Sequence, residues 1–196
     1  MKLTSVEAKK ILLDLTEDNK IPDWIKHSLC IGNMAGKIAE ALNKKGLNLD
    51  VDKAITLGYI HDIGRSVDMY NHIMAGYEYM KKQGYDEEYC NICLTHSYLN
   101  NDTKCTAGGN AKIHPYTEFI KNHEYTLYEK IINLCDLMVK TEMSTVEKRL
   151  IDLLLRKGVS QYTQYHIQET YKLKKYFDDL LGYNLYDLFP EIKNNL

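Results

Sequence analysis

Imidazole and carboxylate groups recur along this chain in the order His27, His61-Asp62, His72, His96 and Asp136, each in or beside a stretch with helical character. Nitrogen and oxygen donors of these kinds suit divalent metals of intermediate hardness, and a metal held this way can turn water into a nucleophile at neutral pH. Hydrolysis is the first chemistry to expect. His61 and Asp62 open the run His-Asp-Ile-Gly-Arg that ends at Arg65. Ile60 and Ile63 flank the pair with apolar bulk, which places it against the core, where an unpaired charge is costly and a bound cation offsets the cost. Neighbours on a regular helix point about 100° apart. Both can reach one centre only from a last turn, where Gly64 releases the backbone. A His-Asp dipeptide alone says little, because buried Asp-His pairs occur in many proteins. Three companions strengthen it: His27 beside an apolar face, His96 at the end of Cys93-Leu94-Thr95, and Asp136 between Cys135 and Leu137. A carboxylate in that apolar company is out of place unless paired or coordinating, and Asp136 is read as a ligand.

The elements that must carry these residues are helical. Only three prolines and eleven glycines interrupt the chain, and apolar residues recur at helical rather than alternating spacing. Thr4-x-x-Glu7 has the pattern of a capping box and starts a helix over about residues 5–17. Pro22 suits the first turn of a long second helix that ends near Gly46. Asp50 caps a third that Gly64 closes just after His61-Asp62, a fourth covers about 69–83, and a fifth about 86–97. Residues 98–124, with Asn100-Asn101-Asp102 and Gly108-Gly109-Asn110, read as a loop of the kind that forms lids or touches substrate. Two more capping boxes, Thr126-x-x-Glu129 and Ser144-x-x-Glu147, open further helices, and a last one runs over about 161–181. No repeat and no convincing strand is evident. The expectation is an all-α, compact single-domain helical bundle spanning residues 1–196, with its core over about 20–142.

Composition removes several classes of function. At 196 residues the chain can bury one substantial core. Its 25 Lys and Arg against 27 Asp and Glu leave no basic surplus for gripping an extended nucleic acid by its phosphates. No apolar run approaches the roughly 18–20 residues of a membrane span, and the first residues lack the apolar core of a signal peptide, so a cytoplasmic location is expected. Five cysteines, an odd and scattered set, argue against a disulfide framework, and Cys90-x-x-Cys93 without a second pair reads as core. His114, His123 and His166 lie in the loop or on polar stretches and are read as solvated. The sixteen tyrosines are read as packing.

The order His27, His61-Asp62 in the HDIG form, and Asp136 resembles the HD-domain phosphohydrolase superfamily of all-helical metal enzymes. The tract from Tyr70 to Glu78, with His72-x-x-x-Gly76, is similar to the segment that follows HDIG in small prokaryotic members. The resemblance implies that His27, His61, Asp62 and Asp136 hold a first divalent metal. It implies further that His72 and His96 hold a second, with Asp62 as the bridge. A one-metal site with His72 and His96 merely lining the pocket is the alternative. Iron or manganese fits the mixed donors. The implied reaction is attack of hydroxide held between the metals on the phosphorus of a phosphoester or phosphoanhydride, with Asp62 able to take the proton. Arg65 and Lys140 are then candidates for substrate phosphate, a surface ion pair being the alternative for each. A nucleotide or dinucleoside polyphosphate is the implied small-molecule partner, and an oligomer is compatible with the pattern. Two rivals share the resemblance: a di-iron oxygenase acting on a small polyol or phosphonate, and a non-catalytic sensor of metal or nucleotide.

Overall fold

The computed structural model describes residues 1–16, 20–99, 102–103 and 116–195. Among these the chain is all-α, with nine α-helices and no β-strand: α1 Ser5–Asp14, α2 Asp23–Asn43, α3 Val51–Ile60, α4 His72–Lys82, α5 Glu87–Thr95, α6 Thr117–Asn122, α7 Leu127–Asp136, α8 Val146–Lys157 and α9 Thr163–Leu181. A short 3-10 turn, Ile63–Ser66, follows α3. Among the described residues no helix is long and apolar enough to cross a membrane.

The expected start signals operate at three helices. Thr4 with Glu7 and Thr126 with Glu129 form complete capping boxes, and the Asp50 side chain accepts from the Lys53 amide. Elsewhere the boundaries shift for identifiable reasons. The cap of α8 is Thr145, which accepts from the Lys148 amide, while the Ser144 hydroxyl donates to the Met138 carbonyl. Helix α4 begins at His72 rather than near residue 69, because Asp68 Oδ1 accepts from the Tyr70 and Asn71 amides and holds that stretch in a turn. Pro22 stands one place before α2, and Gly46 lies past its end with φ +96°. Within the segment expected to be loop, Thr117–Asn122 is helical. Residues 100, 101 and 104–115, with Cys105, His114 and the Gly108-Gly109-Asn110 run, lie outside the described residues.

Two glycine contacts set the architecture around the histidines. Helices α2 and α3 cross where Gly32 meets Gly58: a Cβ on Gly58 would lie 2.5 Å from the Gly32 Cα. That approach brings His27 of α2 alongside His61 at the end of α3. The second contact joins the 3-10 turn to α4, since a Cβ on Gly64 would lie 1.9 Å from the His72 carbonyl oxygen and 2.4 Å from the Gly76 nitrogen. Gly64 therefore serves close approach rather than helix release, and it is not among the glycines with positive φ. The spacing His72-x-x-x-Gly76 puts Gly76 one turn into α4, where it presses on this turn and on Cys93. One apolar cluster backs the assembly, including Ile25, Ile31, Met34 and Ile38 of α2, Leu57 and Ile60 of α3, Ile63, and Ile131, Ile132 and Cys135 of α7. Phe177 and Leu181 of α9 and Phe189 join it. Cys30, Cys90, Cys93 and Cys135 are free thiols, and burial pushes the pKa of each upward, Cys30 to about 11.

Candidate metal centre

Five of the six imidazole and carboxylate residues come from five helices, four of them at helix ends, and Asp62 precedes the 3-10 turn after α3. His27 is the fifth residue of α2, His61 caps the C-terminus of α3, His72 begins α4, His96 caps the C-terminus of α5, and Asp136 ends α7. Three helix C-termini thus converge. Each carries partial negative charge, which favours a cation between them.

They fall into two triads, His27, His61, Asp136 and Asp62, His72, His96; within each, one ligand atom per residue lies within 4.8 Å of the others. Neighbouring rings link the triads: the centroids of His61 and His96 are 5.0 Å apart, and within the first triad those of His27 and His61 are 5.3 Å apart. His61, Asp62 and His96 are buried, whereas His72 and Asp136 are half-buried and mark the side nearer solvent.

Three of the four imidazoles are aimed by backbone carbonyls. His27 Nδ1 lies 2.8 Å from the Lys140 oxygen, His61 Nδ1 2.7 Å from Gly58 and His96 Nδ1 3.1 Å from Ile92. A carbonyl only accepts, so each Nδ1 carries the proton, and Nε2 is presented inward as a donor for metal. His61 Nε2, Asp62 Oδ1 and His72 Nδ1 are buried without a hydrogen-bond partner. Orphaned atoms of this kind are costly unless something occupies the space they face. Asp62 Oδ1 is 3.2 Å from His72 Nε2 and 3.5 Å from His96 Nε2, and its other oxygen takes the Arg65 Nε–H at 2.5 Å.

The titration behaviour fits ligands awaiting a cation. Burial pushes His61 and His72 down to about 4, so both are neutral near pH 7. Burial also acts to lower His27, but the hydrogen bond and charge of Asp136, 3.1 Å from its Nε2, outweigh it and raise the pKa. Burial opposes ionisation of the two carboxylates, yet both are held well below the usual range: Asp62 by the charges of His61 and His96 and of Arg65, and Asp136 by its hydrogen bond to His27. Two carboxylates thus face one arginine, with His61 and His72 neutral near pH 7. The donor set, its orphaned atoms and this residual negative charge fit divalent metal.

The other sequence candidates are placed differently. Arg65 reaches the centre by pairing with Asp62, a contact its motif did not announce. Lys140 does not reach it with its ammonium, which pairs with Asp152 at 3.1 Å on the surface; its backbone carbonyl is what orients His27. Asp152 also binds Arg149 at 2.9 Å and Arg156 at 2.6 Å, and its hydrogen bonds to Arg156 and Lys140 hold its pKa down to about 2. His123 and His166 are not solvated: His123 stacks on Phe119 and meets Glu129 at 2.7 Å, while His166 is buried on α9. Sequence reasoning passed over Asn133, an amide in an apolar stretch one turn before Asp136. Its surroundings were a usable signal.

Known proteins resemble this chain in part. Over 91 residues it is 32% identical to an uncharacterized protein of Methanocaldococcus jannaschii, covering 46% of this chain and 52% of that protein. Over 75 residues it is 35% identical to ribonuclease Y of Mycoplasma capricolum subsp. capricolum, covering 37% of this chain and 14% of that protein. The matches thus span about half of the first relative's length and a small part of the second's. Among solved structures, the HD domain of the L. monocytogenes phosphodiesterase PgpH in complex with cyclic-di-AMP superposes with a TM-score of 0.49 at 15% identity, covering 93% of this chain and 97% of that one. Residues 24–153, more than half of the sequence, match the family described as HD domain, and they contain all six residues of the two triads; the chain belongs to the HD domain family.

Proposed function

We propose that this protein is a metal-dependent phosphohydrolase acting on a small phosphorylated molecule, a nucleotide or dinucleoside polyphosphate. The observation that carries the reading is the convergence of two triads of buried or half-buried ligand atoms, with His61 Nε2 and Asp62 Oδ1 left partnerless. His27, His61 and Asp136 would hold one divalent metal, and Asp62, His72 and His96 a second; iron or manganese suits these donors. Bound there, such metals supply the Lewis acidity that makes water a nucleophile at neutral pH and neutralises charge on a phosphoryl group.

The chain's own residues do the rest. Three backbone carbonyls keep His27, His61 and His96 in the ligating tautomer. Asp62, ionised and buried, offers Oδ1 as the acceptor for a proton leaving water at the centre. Arg65 keeps that carboxylate in place through Nε, and its half-buried guanidinium has further N–H groups for a phosphate oxygen. Lys140 is dropped from the phosphate role, because its charge is spent on Asp152.

The test is a screen of metal-loaded protein against nucleotides and other phosphoesters, beside an Asp62→Ala variant. Phosphate release by the parent protein, and loss of metal and turnover together in the variant, are expected. Full hydrolysis by Asp62→Ala refutes the mechanism. Oxygen consumption without phosphate release would replace it with the oxygenase alternative.

A further inference from the structure

The end of α5 is tied to α7 by an amide that packing alone does not call for. Asn133 is 1% exposed and stands between Ile132 and Leu134. Its Nδ2 donates to the Thr95 carbonyl at 3.1 Å and to the His96 carbonyl at 3.0 Å. Two acceptors fix which end of the amide faces them, since only the nitrogen can donate. A second buried donor, the Tyr125 hydroxyl, reaches the Thr95 oxygen at 3.1 Å. These carbonyls belong to the last turn of α5, whose oxygens have no partner within the helix.

The position of that turn matters because His96 is its cap residue. The His96 ring is bonded through Nδ1 to Ile92, one turn back in the same helix, so wherever the backbone of this turn goes, Nε2 goes with it. Asn133 also lies one helical turn before Asp136. Helix α7 therefore carries a ligand of one triad and, through Asn133, grips the backbone that carries a ligand of the other.

We infer that Asn133, assisted by Tyr125, is a positioning residue for the second metal. It locks the His96 backbone to α7 and so fixes the Asp62, His72, His96 triad relative to the His27, His61, Asp136 triad. The inference rests on the two-metal reading above. Without the clamp, the α5 terminus loses three hydrogen bonds and His96 Nε2 no longer meets Asp62 Oδ1 at a fixed distance. The first triad contains no residue of α5 and keeps its geometry. Supporting contacts behind metal ligands are worth roughly 10- to 100-fold in metal affinity.

The experiment is a Mn²⁺ titration of metal-free protein, with free Mn²⁺ and any exchange-coupled pair followed by electron paramagnetic resonance. It compares the parent with Asn133→Leu, close in size without the donor, and Tyr125→Phe, which removes one hydroxyl. Asn133→Leu is expected to weaken one of two Mn²⁺ ions on the order of 10-fold, leave the other unchanged and diminish the coupled signal. Tyr125→Phe should shift the same ion by a smaller factor. Parent-like affinity for both ions in a folded Asn133→Leu, or equal weakening of both, overturns the inference. If Asn133→Leu does not fold, Tyr125→Phe decides by the same criteria. A parent protein that binds two Mn²⁺ but hydrolyses no phosphoester removes the proposed reaction and leaves the clamp standing, whereas one that binds a single Mn²⁺ and still releases phosphate removes the two-metal reading and the clamp and leaves the reaction standing.

Discussion

Acidification of the metal-free protein should destabilise it through two of the buried histidines of the candidate centre. His61 and His72 have folded pKa values near 4, against an ordinary value of 6.5, because burial penalises the imidazolium. Between those values the unfolded chain binds more protons than the folded one, so stability falls as pH falls through the window. At 1.36 kcal/mol per pKa unit, integrating from about pH 7 to about pH 5 gives a loss of about 2 kcal/mol for each histidine. His27 works in the opposite sense: its raised pKa contributes stability that is full below 6.5 and lost as pH rises through the folded value, so it offsets part of the loss. Asp62 and Asp136, with lowered pKa values, contribute stability that fails only as pH drops below the ordinary carboxylate value of 3.8, outside this window. A net loss of about 2–4 kcal/mol is a large share of the roughly 5–15 kcal/mol typical of a folded domain. The assay is urea unfolding of chelator-treated protein at both pH values, with a His72→Gln variant that cannot take up the proton. The variant should lose about 2 kcal/mol less than the parent on acidification. Equal stability of the parent at the two pH values, or an identical slope in His72→Gln, refutes the reasoning. Saturating Mn²⁺ should steepen the parent's pH dependence, since protons compete for the same nitrogens.

Other perturbations separate the parts of the centre. His96→Ala should lower metal content from two ions to one while the fold persists; equal loss of both, by metal analysis of folded protein, contradicts the division into triads. Gly64→Ala places a methyl 1.9 Å from the His72 carbonyl, so α4 must move. Overpacking of this kind costs typically 1–3 kcal/mol, and the midpoint in denaturant should fall with second-metal affinity; an unchanged midpoint shows that the turn can yield. Lys140→Ala breaks an exposed ion pair worth at most about 1 kcal/mol and leaves the carbonyl that holds His27. Its KM for a phosphoester should match the parent's, and a large rise would return Lys140 to the substrate site.

How far the sequence reached depends on the kind of signal. Apolar periodicity and the Thr4, Asp50 and Thr126 caps are local physics, and the helices they announce are present. At Ser144 two adjacent residues could both cap, and it is the Thr145 hydroxyl that accepts from the Lys148 amide while that of Ser144 is turned to Met138. Residues 98–124 offered polar composition without periodicity, which conceals a helix as short as α6. At the centre, residue types marked the six ligand candidates, because imidazole and carboxylate in apolar surroundings need a partner. The groups that aim them left no mark, since the carbonyls of Gly58, Ile92 and Lys140 belong to every residue type alike. Lys140 illustrates the limit: its charge drew attention, and its backbone is what touches His27.

By itself, then, the sequence determined the helical class, the membership that the HDIG pattern signals, and the chemical character of the donors, all properties of residue type and short-range spacing. The tertiary structure decided that Gly32 and Gly58 let α2 approach α3, that Gly64 and Gly76 let α4 approach the His-Asp turn, and that Arg65 turns to Asp62 while Lys140 turns away. Those outcomes depend on distances between segments far apart in the chain. Such distances are fixed by packing between helices, and no local pattern of residues encodes them.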